Sequence, residues 1–374
     1  MKCGLVIPTL NAGENFSKLL EQINSQTLRT KKLIVDSESM DGTPAIAKNL
    51  GYALQKRYCG AGVEKLKCGL VIPTLNAGEN FSKLLQQINS QTLQTKKLII
   101  DSESTDGTPE LAKKFGFEVL TIQQKNFNHG ATRQLALEKL LPLDVIIFLT
   151  QDIFLKDKTT LAELVKIFET DSTVGLSYGR QLPHSNATLE AQILRAFNYP
   201  AESQLRTLES KNFFGMKAAM ASNSFAAYKV EILQKVGGFP KNVILCEDMY
   251  IAAKMLLSGY KTFYNALAQV YHSHNYTAAQ EFKRYFDIGV FHNRESWIRE
   301  NFGGAGKVGK KFVYEKYSAL WRNNPREFFE AFFRDVMKFC GYSLGRLENF
   351  LPKFIILKCS MHKNFWQQEG NFYV

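Results

Sequence analysis

A near-identical internal repeat constrains this chain more than any other feature. Residues Lys2–Lys48 recur at Lys67–Lys113, 65 positions later, with six differences over 47 positions. Repeats of solenoid proteins stack many diverged copies, whereas this single close pair indicates a tandem duplication. If the 65 residues up to the second copy are set aside, 309 of the 374 residues remain as non-duplicated sequence. That length still supports a large domain with its own hydrophobic core.

Each copy alternates short apolar strands with amphipathic helices. In and after the second copy, strands are expected at residues 68–72, 98–100, 118–121, 145–150 and 174–178. Between the first two strands, apolar residues recur at helical spacing at Phe81, Leu84, Leu85 and Ile88. Strands that alternate with helices predict an α/β fold with right-handed crossovers and a mixed, mostly parallel sheet.

Only the second copy continues directly into the later strands. Use of the first copy would loop out a complete strand–helix unit and leave the apolar strands of the second without partners. We therefore expect residues 1–65 to be a redundant appendage with unpaired strands, prone to association at sheet edges. Residues 66–290 would then form the main α/β domain, and residues 291–374 a helical region.

The predicted C-terminal helices are rich in aromatic and basic residues. Two adjacent rows at helical spacing contain Phe328, Phe332 and Val336, and Phe329, Phe333 and Met337. One interpretation is a helical cap whose aromatic side chains pack on the α/β domain. The other is a basic, aromatic surface that lies on an anionic membrane.

Charge and cysteine content limit the partners and the compartment. The net charge of +12 favours anionic partners, such as a nucleotide or a lipid headgroup. We see no nucleic-acid recognition motif and expect no nucleic-acid partner. Six scattered cysteines without a CxxC pair favour a reducing, cytoplasmic location over a disulfide scaffold. The N-terminal apolar run is too short for a signal peptide, and no run approaches the roughly 20 residues of a membrane span.

Two acidic residues follow the strands of the second copy. Asp101 comes directly after the strand at 98–100, and Asp106 precedes Gly107 in the same loop. Ligands of open parallel sheets bind outside the carboxyl ends of strands, where a carboxylate can accept hydrogen bonds from a base or a ribose. The alternative for Asp106, which precedes a glycine, is a turn or a helix cap.

Two further motifs point to a phosphate-bearing ligand. Asn126–Arg133 opens a predicted helix, and its glycine and arginine can contact an anion or a base edge. Asp152 follows the apolar run Val145–Leu149. A carboxylate there suits Mg²⁺ bridging a diphosphate, because Mg²⁺ takes few protein carboxylates. A helix cap or a buried ion pair is the alternative.

Acid–base chemistry is indicated further along the chain. Glu247 and Asp248 begin a predicted helix, where the helix dipole keeps a general base ionised. Neighbouring helical side chains point about 100° apart, so we expect one base and one structural acid. The alternative is that both only stabilise the helix. His272 and His274 alternate on a predicted strand and share a face, which suits a metal site or an exposed acceptor site.

Together these motifs resemble the family 2 glycosyltransferases of the GT-A fold, most closely their rhamnosyltransferase branch. The resemblance covers about residues 67–294. Its carriers are VIPTLNAG, IDSESTDGT, NHGATR, TQD at 150–152, ASNSFAAY at 221–228, GGFP at 237–240, CEDMYIAAKMLLSGYK and YHSHNY.

The resemblance implies the roles of the site residues. The donor-nucleotide site would contain Pro73, Thr74, Asn76, Asp101, Ser102, Asp106, His129, Arg133 and Gln151. Asp152 matches the metal-binding carboxylate of the family's DxD motif, although Thr150 stands where that motif has its first aspartate. A single carboxylate implies that Mg²⁺ or Mn²⁺ is weakly held and arrives with the donor, with His272 or His274 as a further ligand. Asp248, beside Glu247, matches the catalytic base.

We therefore expect an inverting, metal-dependent glycosyltransferase. It would transfer L-rhamnose from dTDP-rhamnose to a bacterial surface polysaccharide or a lipid-linked glycan, in peripheral contact with the anionic inner face of the cell membrane. Two alternatives stay open: a UDP-sugar donor, and an inactive paralogue that only binds a sugar nucleotide. A nucleotidyltransferase is disfavoured because VIPTLNAGEN contains no basic residue after the first strand.

Overall fold

The computed structural model describes residues 4–9, 12, 15–25, 31–36, 43–56, 66–184, 187–273, 276–304 and 306–368. The chain divides into two compact units, residues 1–65 and residues 66–374. The elements of the first unit are β1 (Gly4–Thr9), α1 (Phe16–Asn24), β2 (Lys31–Asp36), α2 (Thr43–Asn49) and β3 (Ala53–Lys56).

The first unit forms a parallel sheet in the order β1-β2-β3 around a small core of Phe16, Leu20, Ile34, Ala47 and Tyr52. The expectation of unpaired strands is wrong, because β1 pairs with β2 and β2 pairs with β3. β3 lies beyond the repeated sequence and was not predicted. It gives β2 a second neighbour and makes β2 the central strand of this sheet.

The second unit contains a nine-stranded mixed sheet. Its strands are β4 (Cys68–Thr74), β5 (Lys96–Asp101), β6 (Glu118–Thr121), β7 (Val145–Leu149), β8 (Phe154–Leu155), β9 (Val174–Leu182), β10 (Gln204–Arg206), β11 (Phe225–Lys229) and β12 (Lys261–Tyr271). The order is β10-β12-β9-β11-β7-β4-β5-β6, with β8 paired to β12. β4 to β7 form one parallel block, and β11 runs antiparallel to both β7 and β9. The predicted α/β class and all five predicted strands are confirmed.

Helices cover both faces of this sheet. They are α3 (Phe81–Asn89), α4 (Thr108–Lys114), α5 (His129–Leu140), α6 (Thr160–Val165), α7 (Ile167–Thr170), α8 (Leu189–Asn198), α9 (Lys211–Phe214), α10 (Val230–Lys235), α11 (Glu247–Leu257), α12 (Ala278–Arg294), α13 (Ser296–Phe302), α14 (Gly306–Asn323), α15 (Pro325–Gly345), α16 (Lys353–Cys359) and α17 (Lys363–Gln368). Successive strand residues point to opposite faces, so Ile147 joins one core while Ile146 and Phe148 join the other.

The C-terminal helices begin with α12, which passes through the boundary expected at residue 290. It packs closely on α15, where a Cβ at Gly345 would collide with the carbonyl of Phe286. The predicted aromatic rows lie on α15, and Phe329, Phe332 and Phe333 there are 54 to 62% exposed. More than half of each of these side chains is thus uncovered, and the rings of Phe329 and Phe332 contact Trp321 and Tyr317 on α14. No helix in the described ranges has both the length and the apolar character needed to cross a bilayer.

Candidate active site

A cavity of about 290 Å³ lies at the carboxyl ends of β4, β5 and β7. Its lining consists of Pro73, Thr74, Leu75, Ser102, Gln124, Phe127, His129, Arg133, Thr150, Gln151 and Asn364. Six of the nine residues expected to bind the donor nucleotide line this cavity, namely Pro73, Thr74, Ser102, His129, Arg133 and Gln151. Strand ends and the start of α5 thus meet where an open α/β sheet binds its ligand.

Asp101 joins the ends of two strands from a fully buried position. Its carboxylate accepts hydrogen bonds from the Thr74 hydroxyl at 2.8 Å and from the Ser104 backbone and hydroxyl groups at 2.9 and 2.6 Å. Asp101 does not line the cavity. Its expected contact with the nucleotide stays a prediction, while its contacts here fix Thr74, which does line the cavity.

Asp106 and Asn76 organise the neighbouring turn outside the cavity. Asp106 accepts hydrogen bonds from the Thr108 hydroxyl at 2.6 Å and the Gly78 N–H at 3.0 Å. The bond from Thr108 is the main cause that lowers the pKa of Asp106. Asn76, at φ 46°, accepts the Thr105 N–H at 2.8 Å. The structure therefore shows the turn-and-cap alternative for Asp106 and brings neither side chain to the cavity.

Asn128 and Gly130 of the NHGATR motif have local structural roles at the start of α5. Asn128 caps the helix, since its side-chain oxygen accepts the N–H groups of Gly130 and Ala131, both at 3.0 Å. Its amide N–H donates to the Val243 carbonyl at 2.8 Å. A Cβ at residue 130 would collide with the Pro240 carbonyl, so glycine is required there.

Arg133 forms a buried ion pair with Glu247 across 2.9 Å. Glu247 also accepts a hydrogen bond from the Asn223 amide at 2.8 Å. Burial raises the pKa of Glu247, but the Arg133 guanidinium, the charge of His129 and the hydrogen bond from Asn223 together leave that pKa below its usual value. Glu247 is thus an ionised residue whose charge is already compensated.

Asp248 lies next to Glu247 in a different electrostatic setting. Its carboxylate accepts the backbone N–H groups of Asn223 at 3.1 Å and Met249 at 2.8 Å. Burial, followed by the negative charge of Glu247, raises the pKa of Asp248 to about 6. A carboxylate with a pKa near neutrality can accept a proton during a reaction and release it afterwards.

Asp152 and His272 approach each other beyond the ends of β7 and β12, with 3.4 Å between Asp152 Oδ2 and His272 Nε2. His272 Nδ1 lies 2.8 Å from Gln181 Oε1. The same Gln181 oxygen also accepts a hydrogen bond from Arg195, whose guanidinium can only donate. Because this Gln181 atom is therefore an acceptor, His272 Nδ1 must carry the proton of their shared hydrogen bond. A neutral His272 then presents its Nε2 lone pair toward the Asp152 carboxylate, an arrangement that a cation stabilises.

This pair fits a divalent metal that takes most of its ligands from elsewhere. Within the described ranges, no group of three His, Cys, Asp or Glu residues surrounds a common point. Two protein ligands suit a metal completed by diphosphate oxygens and water. His272 lies one residue past the end of β12, not on the strand as expected, and the predicted ligand His274 lies outside the described residues.

Sequence reasoning missed three residues around the site. His184 lies near Asp152 and His272, since both influence its pKa, which burial chiefly lowers. Arg284 on α12 carries a charge that acts on His129 and Cys246. Asn364 reaches the cavity from α17. A lone histidine, one arginine among several and a distant asparagine carry no sequence pattern that could have identified them.

Comparisons with known proteins show the family of this chain. Residues 70–237 match glycosyl transferase family 2. The chain is 44% identical over 303 residues to the O-antigen chain rhamnosyltransferase RfbN of Salmonella typhimurium, covering 80% of this chain and 96% of that protein. It is 42% identical over 299 residues to the O-antigen chain rhamnosyltransferase WbaN of Salmonella anatum, covering 79% and 95% respectively.

The fold also resembles a solved glycosyltransferase. The mannosyltransferase PcManGT from Pyrobaculum calidifontis, solved in complex with GDP-Man and Mn²⁺, matches with a TM-score of 0.52 at 16% identity. The match covers 77% of this chain and 87% of that one, which is consistent with the expected GT-A fold. By sequence and by fold, the chain belongs to the family 2 glycosyltransferases, on their rhamnosyltransferase-like branch.

Proposed function

We propose that this glycosyltransferase transfers L-rhamnose from dTDP-rhamnose to a growing bacterial surface polysaccharide, with inversion at the anomeric carbon. The near full-length identity to two proteins named O-antigen chain rhamnosyltransferases supports the sugar and the acceptor class. The chemistry rests on one observation, the raised pKa of Asp248 beside a charge-compensated Glu247.

In the proposed mechanism, Asp248 accepts the proton of the acceptor hydroxyl. The freed oxygen forms a bond to the anomeric carbon as the bond to the diphosphate oxygen breaks on the opposite face. Asp248 then releases its proton to solvent, and the nucleoside diphosphate leaves with both electrons of the broken bond. Arg133 holds Glu247, and thereby the start of α11, in place during this step.

Asp152 and His272 would hold a divalent cation, Mg²⁺ or Mn²⁺, which neutralises the charge that develops on the departing diphosphate. Gln181 keeps the proton of His272 on Nδ1, so that Nε2 can act as a ligand. Gln151, next to Asp152, exchanges two hydrogen bonds with the Leu75 backbone at 2.9 and 3.1 Å. These bonds fix the cavity wall on the side of the metal site.

The C-terminal helices support peripheral contact with the cytoplasmic face of the membrane. Phe329, Phe333 and Phe339 are more than half exposed on α15, and residues 66–374 retain a net charge of +9. Exposed aromatic side chains beside basic residues suit an anionic bilayer surface. Flotation with anionic vesicles tests this contact, and an absence of salt-sensitive binding would argue against it.

A donor panel tests the proposed function. The purified chain is incubated with dTDP-rhamnose or with UDP-sugars and a lipid-linked acceptor, and the product is analysed by mass spectrometry and NMR. We expect rhamnosyl transfer from dTDP-rhamnose with an inverted anomeric configuration. Transfer only from a UDP-sugar would reassign the donor, and nucleotide binding without transfer would indicate an inactive paralogue.

A further inference from the structure

The segment Ser360–Asn364, which leads into and begins α17, is held firmly beside the donor cavity. On one side, Asp287 on α12 accepts the N–H groups of Met361 at 2.8 Å and His362 at 3.2 Å. On the other side, Phe365 and Trp366 are buried in the main core, 7 and 3% exposed. The segment is thus fixed at both ends, and its side chains keep a defined position.

Two side chains of this segment face the residues that line the cavity. The His362 ring packs edge-on against the His129 ring, with 5.2 Å between centroids. Asn364 lines the cavity and donates from its side-chain amide to the Gln124 carbonyl at 3.3 Å. The two contacts join the segment Ser360–Asn364 to Gln124 and to the start of α5, which both contribute to the cavity wall.

The chemistry of Asn364 suits the edge of a pyrimidine base. One amide N–H is used on Gln124, which leaves the side-chain oxygen and the second N–H of Asn364. A thymine or uracil ring presents an N–H between two carbonyl groups, so an amide can pair with two adjacent groups on that edge. Pro73, Leu75 and Phe127 supply apolar walls for the ring in the same cavity.

We propose that Asn364 contacts the base of the donor nucleotide and that Asp287 is the positioning residue that holds Asn364 there. The inference rests on the proposed use of a dTDP or UDP donor. It assigns base recognition in part to the C-terminal segment, about 290 residues after the first strand of the nucleotide site. The C-terminal helical region would therefore complete the donor site as well as flank it.

Calorimetric titration of the full chain with dTDP in the presence of Mn²⁺ tests the contact. We expect Asn364→Ala to weaken dTDP binding at least about tenfold, because it removes the hydrogen bonds between one amide and the base in a shielded site. KM for the donor should rise with little change in kcat. The matched control is Asn323→Ala, which removes an exposed amide that also donates to a backbone carbonyl. Equal dTDP affinity in wild type and Asn364→Ala would overturn the inference.

A double-mutant cycle tests the positioning role of Asp287. Asp287→Asn keeps an acceptor for the two N–H groups but weakens their hold, so we expect a several-fold loss of dTDP affinity. If Asp287 acts through Asn364, the double variant binds no more weakly than Asn364→Ala alone; additive losses would overturn this role. Ser360→Ala, which removes the other acceptor of the His362 N–H, serves if Asp287→Asn does not fold.

The same titration separates this inference from the proposed function. If the wild-type chain binds neither dTDP nor UDP, the proposed donor class is wrong and the contact falls with it. If the wild type binds dTDP and Asn364→Ala binds it equally well, only the C-terminal contact is wrong.

Discussion

Arg133 and Glu247 form an ion pair across 2.9 Å, with both side chains at least 94% buried. The pair neutralises one of two adjacent carboxylates at the start of α11. Asp248, the second, forms no ion pair with any residue that the structure describes, and its pKa is raised to about 6. Two neighbouring residues of the same chemical type are thereby separated into a structural anion and a candidate base.

Breaking this pair should destabilise the large unit. Glu247→Gln keeps the hydrogen bond to Asn223 but leaves the Arg133 charge buried without a counter-charge, and we expect a loss of about 3 to 5 kcal/mol in the free energy of unfolding. Urea denaturation measures it. Glu231→Gln, which breaks the exposed pair with Lys235, is the control and should cost less than about 1 kcal/mol. Similar losses in both variants would contradict a structural role for the buried pair.

The raised pKa of Asp248 predicts that activity is lost on acidification at a higher pH than for an ordinary aspartate base. A raised pKa keeps the carboxyl protonated up to about pH 6, so kcat/KM should rise with pH and level off above that value. Because Glu247 contributes to the raised pKa, Glu247→Gln should shift the acid limb to lower pH in whatever fraction folds. A pH–rate profile that stays flat down to pH 4.5 would exclude Asp248 as the titrating base.

Asp152 should be needed for metal-dependent nucleotide binding. We expect Asp152→Asn to abolish the increase in dTDP affinity that Mn²⁺ causes in the wild type, because His272 alone is a poor site for a hard cation. Titration of dTDP with and without Mn²⁺ measures this difference. Asp106→Asn is the matched control, since asparagine can still cap the turn beside α4. Retention of the Mn²⁺ effect in Asp152→Asn would place the metal elsewhere.

Removal of residues 1–65 should leave transferase activity intact. β4 lies between β5 and β7, so the position that the repeated sequence of β1 could take in the large sheet is already filled by β4. We expect the chain of residues 66–374 to retain at least half of the wild-type kcat/KM, compared in the same transfer assay. A loss beyond tenfold would show that the first copy supports the catalytic unit.

Much of the fold follows from local sequence patterns. Local signals are the apolar runs of β4, β5 and β7 and the helical spacing in α3. The two adjacent carboxylates, Glu247 and Asp248, at the start of α11 are a further local signal. Strand β3 was missed because its four residues, Ala53–Lys56, end in two polar side chains and form no apolar run. Tyr52, directly before this strand, is buried, and its hydroxyl donates to the Leu20 carbonyl at 2.9 Å.

The site was harder to predict wherever it depends on distant contacts. Sequence placed Asp101 at a strand end but could not show that Thr74 and Ser104 would occupy its carboxylate. Nor could it reveal Gln181 behind His272, because 91 residues separate them. Asn364 is 240 residues from Gln124, and only the packing of α12 and α17 brings it to the cavity.

The transfer rate of Asp248→Asn at saturating dTDP-rhamnose tests the central claim most directly. Loss of a general base costs roughly 10² to 10⁴ in rate, and asparagine has similar size but cannot accept the proton. We expect a fall in kcat of at least a hundredfold, with dTDP affinity within twofold of the wild type. A variant that transfers rhamnose at the wild-type rate would contradict the assignment of Asp248 as the base.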